Sequence, residues 1–281
     1  MSDDQRRSRT SPVRHRVTVL GSFTLVDDGT TVPLGVDARR LVAYLAIHPR
    51  PQKRAALAAD LWPGVPLDAA PRLLSEAVDA VDVPALFESG EDGSLALAAD
   101  VAVDLAEAMQ LVRALPELPA GDRPEIAPLS ADILPGWTAP WIAVERERFR
   151  QIRLHALEDL SLRLTAAGRF ADAVAIAQTA VRAAPSRESA RRVLIEAYLA
   201  QGSVAAAVAQ YDDYKALLRK SVGGPVPSGL EGLLPPSPAW PVLRVRRPVR
   251  RPAVQLPGVR PMRSVAGRRL VAGGSTPGSA R

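Results

Sequence analysis

Arginine is the residue type with the most chemistry to offer in this 281-residue chain, supplying 33 of its 36 basic groups. Its planar, permanently charged fork matches the oxygens of phosphates and carboxylates. Other reactive types are scarce. There is no cysteine, which removes disulfides, thiolate metal sites and thiol nucleophiles. The histidines, His15, His48 and His155, are far apart, and no set of nucleophile, base and orienting group can be assembled. Glu158 and Asp159 occupy adjacent helix positions and do not face one another. No GxxxxGK loop is present to cradle a nucleotide phosphate. These residues point to binding without catalysis, metal or cofactor.

The position of the arginines decides what they could bind. The formal net charge is +6, but it divides into +3 on residues 1–16, −7 on 17–236 and +10 on 237–281. Arg244, Arg246, Arg247, Arg250 and Arg251 lie in a tail without a single acidic residue. Such a segment suits nonspecific contact with phosphates or with another acidic partner. Aromatic residues make up 4% of the chain, too few for a ladder of stacked bases. No run approaches the ~18–20 apolar residues of a membrane span, and MSDDQRRSRTSP at the start lacks a secretory apolar stretch. With no cysteine, the expected setting is the cytoplasm, with no membrane partner.

The elements that would position these side chains divide the chain in four. Residues 1–16 read as a disordered basic arm, and 223–281, rich in proline and arginine, as a disordered tail. Within 17–103, β-rich runs Val17–Leu20 and Phe23–Val26 are followed by the Asp28-Gly29 hairpin signal and Thr30–Val32. Helices follow over Ala38–Ile47, capped by Asp37, then Lys53–Trp62 and Asp68–Val81, with Pro71 in the first turn of the last. Ala85–Glu88 and Ser94–Leu97 form a closing hairpin. Three short helices and a hairpin match a winged helix, whose third helix can enter a DNA major groove. The three strands ahead of them narrow this to the response-regulator effector type.

Residues 104–222 read as helical throughout: a short helix over Asp104–Leu115, a proline-rich joint to Pro140, and a long helix from Trp141. Three further helices cover Ala171–Ala184, Arg187–Gln201 and Val204–Lys220. Leu160 and Leu194, Gly168 and Gly202, Ala173 and Ala207, and Val174 and Val208 are each 34 residues apart. That period, helix–Gly turn–helix, is the tetratricopeptide signature. The expected fold is thus an α+β winged helix followed by an all-α tetratricopeptide-like domain. Trp62, Trp137 and Trp141 read as packing anchors, and Glu145–Arg148 as a solvated helix face.

A family resemblance rests on VTVLGSFTLVDDGTTVPL at 17–34, DARRLVAYLAIHP at 37–49, AALAADLWP at 55–63, ILPGW at 133–137, PWIAVERERFRQIRLHALEDL at 140–160 and GRFADAVAIAQTAVRAAPSRESARRVLIEAYLAQG at 168–202. The chain resembles the Streptomyces antibiotic regulatory protein family over about residues 17–221, including its bacterial transcriptional activator domain. The resemblance implies a transcription regulator whose winged helix binds DNA. Its helical domain is then expected to contact RNA polymerase or another protein, and to pair with itself in a homodimer. In that reading Arg72 and Ser75 of the third helix are the base or phosphate contacts. Arg39, Arg40, Lys53 and Arg54 at the starts of the first two helices are candidate backbone contacts.

One departure sets a rival reading beside this one. The family offers several arginines on the third helix, in a pattern like SRLRRAL, where this chain has DAAPRLLSEAVDAVDVP. That stretch holds Arg72 against Asp68, Glu76, Asp79 and Asp82, a net −3. The alternative is a protein-interaction module of the same architecture, whose acidic winged helix no longer reads DNA.

Overall fold

The computed structural model describes residues 14–66, 68–119, 122, 124–222 and 229–234. All belong to one unit that ends at Pro235; the arginine-rich tail from Ser237 and the arm before Arg14 lie outside the described residues.

The chain begins with β1 (His15–Thr18), β2 (Thr24–Asp27) and β3 (Thr30–Thr31). β1 and β2 pair antiparallel, from His15 opposite Asp27 to Thr18 opposite Thr24. Val17, Val19 and Leu25 are fully buried. The β2–β3 turn has Asp28 at φ 45° and Gly29 at φ 82°, the left-handed pair a two-residue hairpin needs.

Helix α1 (Val36–Ile47) follows, then β4 (Gln52–Lys53), α2 (Arg54–Leu61) and α3 (Ala70–Asp79). Helix α1 starts two residues earlier than its sequence suggests. Gly35 is its N-cap, and Asp37 accepts a 2.9 Å hydrogen bond from Trp62 Nε1, tying the start of α1 to the end of α2. Leu41, Leu45, Leu57, Leu61, Leu74 and Leu95 close a core shared by α1–α3 and the hairpin. That hairpin consists of β5 (Phe87–Ser89) and β6 (Ser94–Leu97), and β4 joins it in the order β4-β6-β5.

β7 (Ala102–Val103) returns to the first sheet and runs parallel to β1, giving the order β3-β2-β1-β7. It leads directly into α4 (Asp104–Ala114). The Asp104 carboxylate accepts backbone hydrogen bonds from Val19 and Leu20, each 2.9 Å, and from Leu105 at 2.8 Å. Burial raises the pKa of this carboxyl, against the pull of those three donors. A further antiparallel bridge pairs Leu20 with Ile133.

The remaining helices are α5 (Pro140–Ala166), α6 (Phe170–Ala183), α7 (Glu188–Ala200) and α8 (Val204–Val222). Gly168 and Gly202 stand after α5 and α7 at φ 77° and 83°. Both turns close identically. Gly168 N–H donates to Thr165 and Arg169 N–H to Leu164; Gly202 N–H donates to Leu199 and Ser203 N–H to Tyr198. This is the Schellman stop, in which a left-handed residue lets the last carbonyls be satisfied. Ala173, Ala177 and Ala207 are fully buried where helices cross, small enough to let backbones approach, and Ser161 Oγ donates to the Ala173 carbonyl at 2.8 Å.

Two expectations need correction. Arg146 is not part of a solvated face. Its Nε donates to the Ile133 carbonyl at 2.7 Å, and Nη2 to Leu134 and Trp137 carbonyls at 2.6 and 2.9 Å. Arg153, 1% exposed, holds the Leu129 carbonyl and Asp132 in the same way. Residues 229–234 are not extended solvated chain: Leu230 is fully buried against Ile195, Ala207, Tyr211 and Tyr214, and Glu231–Leu233 form a 3-10 turn.

Candidate nucleic-acid interface

The exposed side of α3 is the first place to look for a ligand-facing surface, because the helix buries only Ala70, Leu74 and Ala77. Arg72 projects from it with its side chain 75% exposed, its Nε 3.6 Å from Glu76 Oε1. Ser75 is exposed on the same face, its hydroxyl donating to the Pro71 carbonyl at 3.2 Å. Asp68, Asp79 and Asp82 are exposed too.

Lys53 and Arg54 are brought to the hairpin. β4 pairs Lys53 with Ser94 of β6, and Arg54 Nη2 donates to Ser89 Oγ at 3.4 Å. Charge at the hairpin tip is again negative, with Glu91 and Asp92 exposed. Hydrogen bonds from the Ser94 side chain and backbone hold the Asp92 carboxyl below its usual range, so it stays ionised.

Arg39 and Arg40 lie elsewhere. The Arg39 guanidinium stands 5.7 Å from the centre of the Trp137 ring. Arg40 Nη2 donates to the Leu61 carbonyl at 2.6 Å, with Nη1 3.8 Å from Asp37. It ties the last turn of α2 to α1. Of the six candidate contacts, then, Lys53 and Arg54 gather at the hairpin, Arg72 and Ser75 share the α3 surface, Arg39 lies over Trp137, and Arg40 ties α1 to the end of α2. Arg244, Arg246, Arg247, Arg250 and Arg251 lie outside the described residues.

Trp62, Trp137 and Trp141 are packing residues. Trp141 meets Tyr44 edge-on at 5.0 Å between ring centres, His48 stacks on Tyr44 at 4.2 Å, and Trp137 lies 6.5 Å from Trp141. This cluster seats the start of α5 on α1. Burial and a 2.6 Å hydrogen bond to Asp60 push the Tyr44 hydroxyl far above its ordinary pKa. The histidines are apart, in β1, at the end of α1 and exposed on α5. Among the described residues no cluster of three or more His, Cys, Asp or Glu could hold a metal ion. Glu158 is buried and structural: Arg187 Nε and Ser189 Oγ donate to its Oε1 at 2.7 and 2.9 Å, fixing the start of α7 against α5. Neither Arg187 nor Arg146 is distinguishable in sequence from a surface arginine, since their partners lie in other elements.

Comparison with known proteins assigns the helical half first. Residues 103–233, from the end of β7 through the 3-10 turn after α8, match the model of the bacterial transcriptional activator domain. A structural likeness extends further, to Mycobacterium tuberculosis EmbR solved in complex with a low-affinity phosphopeptide. The two are 23% identical with a TM-score of 0.56, over 78% of this chain and 64% of that one. That likeness concerns the fold, and this chain spans 64% of the EmbR chain it matches. No curated protein matches the sequence. Among the described residues no helix is long and apolar enough to cross a membrane.

Proposed function

We propose that this chain is a cytoplasmic transcription regulator of the Streptomyces antibiotic regulatory type. Residues 17–103 act as a winged helix that docks on DNA, and the helical half is a tetratricopeptide-like platform for protein contacts, RNA polymerase and a second copy of the chain among them. The observation that carries this reading is the bacterial transcriptional activator domain match at 103–233, joined to a unit of three helices and a hairpin that leaves α3 open. In this arrangement Arg72 and Ser75 face base edges or phosphates, Lys53 and Arg54 hold the backbone beside the hairpin, and the basic tail adds sequence-independent affinity.

A second reading has a specific observation behind it. Residues 17–103 carry six basic and twelve acidic groups, and Arg72, the one cation of α3, is paired with Glu76. DNA binding gains affinity by neutralising phosphates and releasing their counterions, and this face offers little of that. A protein-interaction module with a DNA-blind winged helix would look the same.

Titration of the full chain against duplex DNA over a salt series separates the two. The regulator reading expects Lys53→Glu and Arg54→Glu to weaken binding and flatten the salt slope by about one unit each. If only replacing the five tail arginines by glutamine weakens binding, the interaction-module reading stands.

A further inference from the structure

Between the end of α1, α4 and the first half of α5 lies a groove of about 640 Å³, within the range of small-molecule sites. Its floor is apolar, with Met109 from α4 and Phe149 from α5. Its walls carry Arg50, just after α1, Arg113 in the last turn of α4, and Arg148 of α5, against one carboxylate, Glu145. Three cations to one anion is the reverse of the balance in the −7 segment around them. Glu145 already faces Arg148 at 3.7 Å. Among the described residues neither Arg50 nor Arg113 forms an ion pair.

This combination selects a ligand class. A neutral apolar molecule would gain nothing from the guanidinium groups, and an inorganic anion would leave the apolar floor wet. A duplex is too wide for a concave space of this size. We infer that the groove binds a small amphipathic organic anion, a carboxylate on an aliphatic or aromatic body. Arg50 and Arg113 take its head, and Met109 and Phe149 line its body. The wall residues come from both halves, so a bound anion bridges the α1–α3 unit and the helical domain.

The test uses the full chain and no DNA, so its outcome is separate from that of the duplex titration. The reporter is 8-anilinonaphthalene-1-sulfonate, an aromatic anion that fluoresces when shielded from water, with decanoate and decanol as competitors. The expected result is one saturable site per chain, emptied by decanoate and not by decanol at the same concentration. Arg50→Glu and Arg113→Glu each weaken decanoate about fivefold, the scale of one solvent-facing charge contact. Ala106→Trp, which fills the groove from an exposed position on α4, removes the site. Far-ultraviolet circular dichroism checks each variant, and any one that folds suffices. Absence of a saturable site, equal displacement by decanol, or binding untouched by the folded variants would overturn the inference.

Discussion

Arg146 and Asp104 show how single side chains hold the joint between the two halves. Arg146 satisfies three carbonyls of the segment that leads into α5, and two of their residues, Ile133 and Leu134, are 1% exposed. Buried carbonyls left without donors are costly, so Arg146→Ala should lower stability by roughly 2–3 kcal/mol. Arg146→Lys should recover only part of that, because an ammonium group cannot span the fork. Asp104 accepts from three backbone N–H groups on two elements. Its replacement by alanine should cost roughly 2 kcal/mol. Urea unfolding checks both; a change within ~0.5 kcal/mol, as for an ordinary surface site, would remove the joint role assigned to them.

At the scale of elements, α3 is the helix on which the proposed DNA contact turns. Its inward face is apolar and its outward face sets Arg72 among Glu76, Asp79 and the flanking Asp68 and Asp82. Releasing Arg72 from Glu76 and trimming the negative field should help phosphates approach. The double variant Glu76→Gln, Asp79→Asn is expected to gain on the order of tenfold in duplex affinity at ~50 mM salt, with the gain fading as salt rises. Fluorescence anisotropy reads it, and an unchanged affinity would mean that α3 does not face the duplex.

Elements with local causes are legible in the sequence. The Asp28-Gly29 turn, Pro71 in the first turn of α3, and the stops at Gly168 and Gly202 depend on backbone preferences of the residues themselves. Elements made by distant partners are not. β7 has two residues and exists because β1 pairs with it. The Leu20–Ile133 bridge spans much of the chain. The carbonyl partners of Arg146 and Arg153 are set by the path of the joint, which periodicity does not encode. For the candidate site, the acidity of α3 could be counted in the sequence. That Arg39 and Arg40 brace Trp137 and the end of α2 could not, because solvated and bracing arginines share one composition.

For the whole molecule, the first sheet, the joint and the helical half share one buried cluster that runs from Val17 and Leu25 through Ile133 and Phe149 to Leu194. The Trp141–Tyr44–His48 contacts add a second seam. Residues 14–222 should therefore unfold in one cooperative step, with probes in both halves giving coincident denaturant transitions. Trp141→Ala should lower that midpoint by an amount equivalent to roughly 3 kcal/mol; well-separated transitions in the parent protein would show that the seams are too weak to couple the halves.

The net charge of +6 divides into −7 over residues 17–236 and basic ends, so the surface charge opposes the proposed docking on DNA. The most direct arbiter is selection from a randomised duplex pool with the full chain, followed by titration of the selected and scrambled duplexes with the parent protein and Arg72→Ala. The regulator account predicts one enriched motif, bound more tightly than its scramble. Arg72→Ala should lose roughly tenfold on that motif, the scale of one base-directed arginine, and little on the scramble. No enriched motif, or equal binding of both duplexes by both proteins, would contradict it.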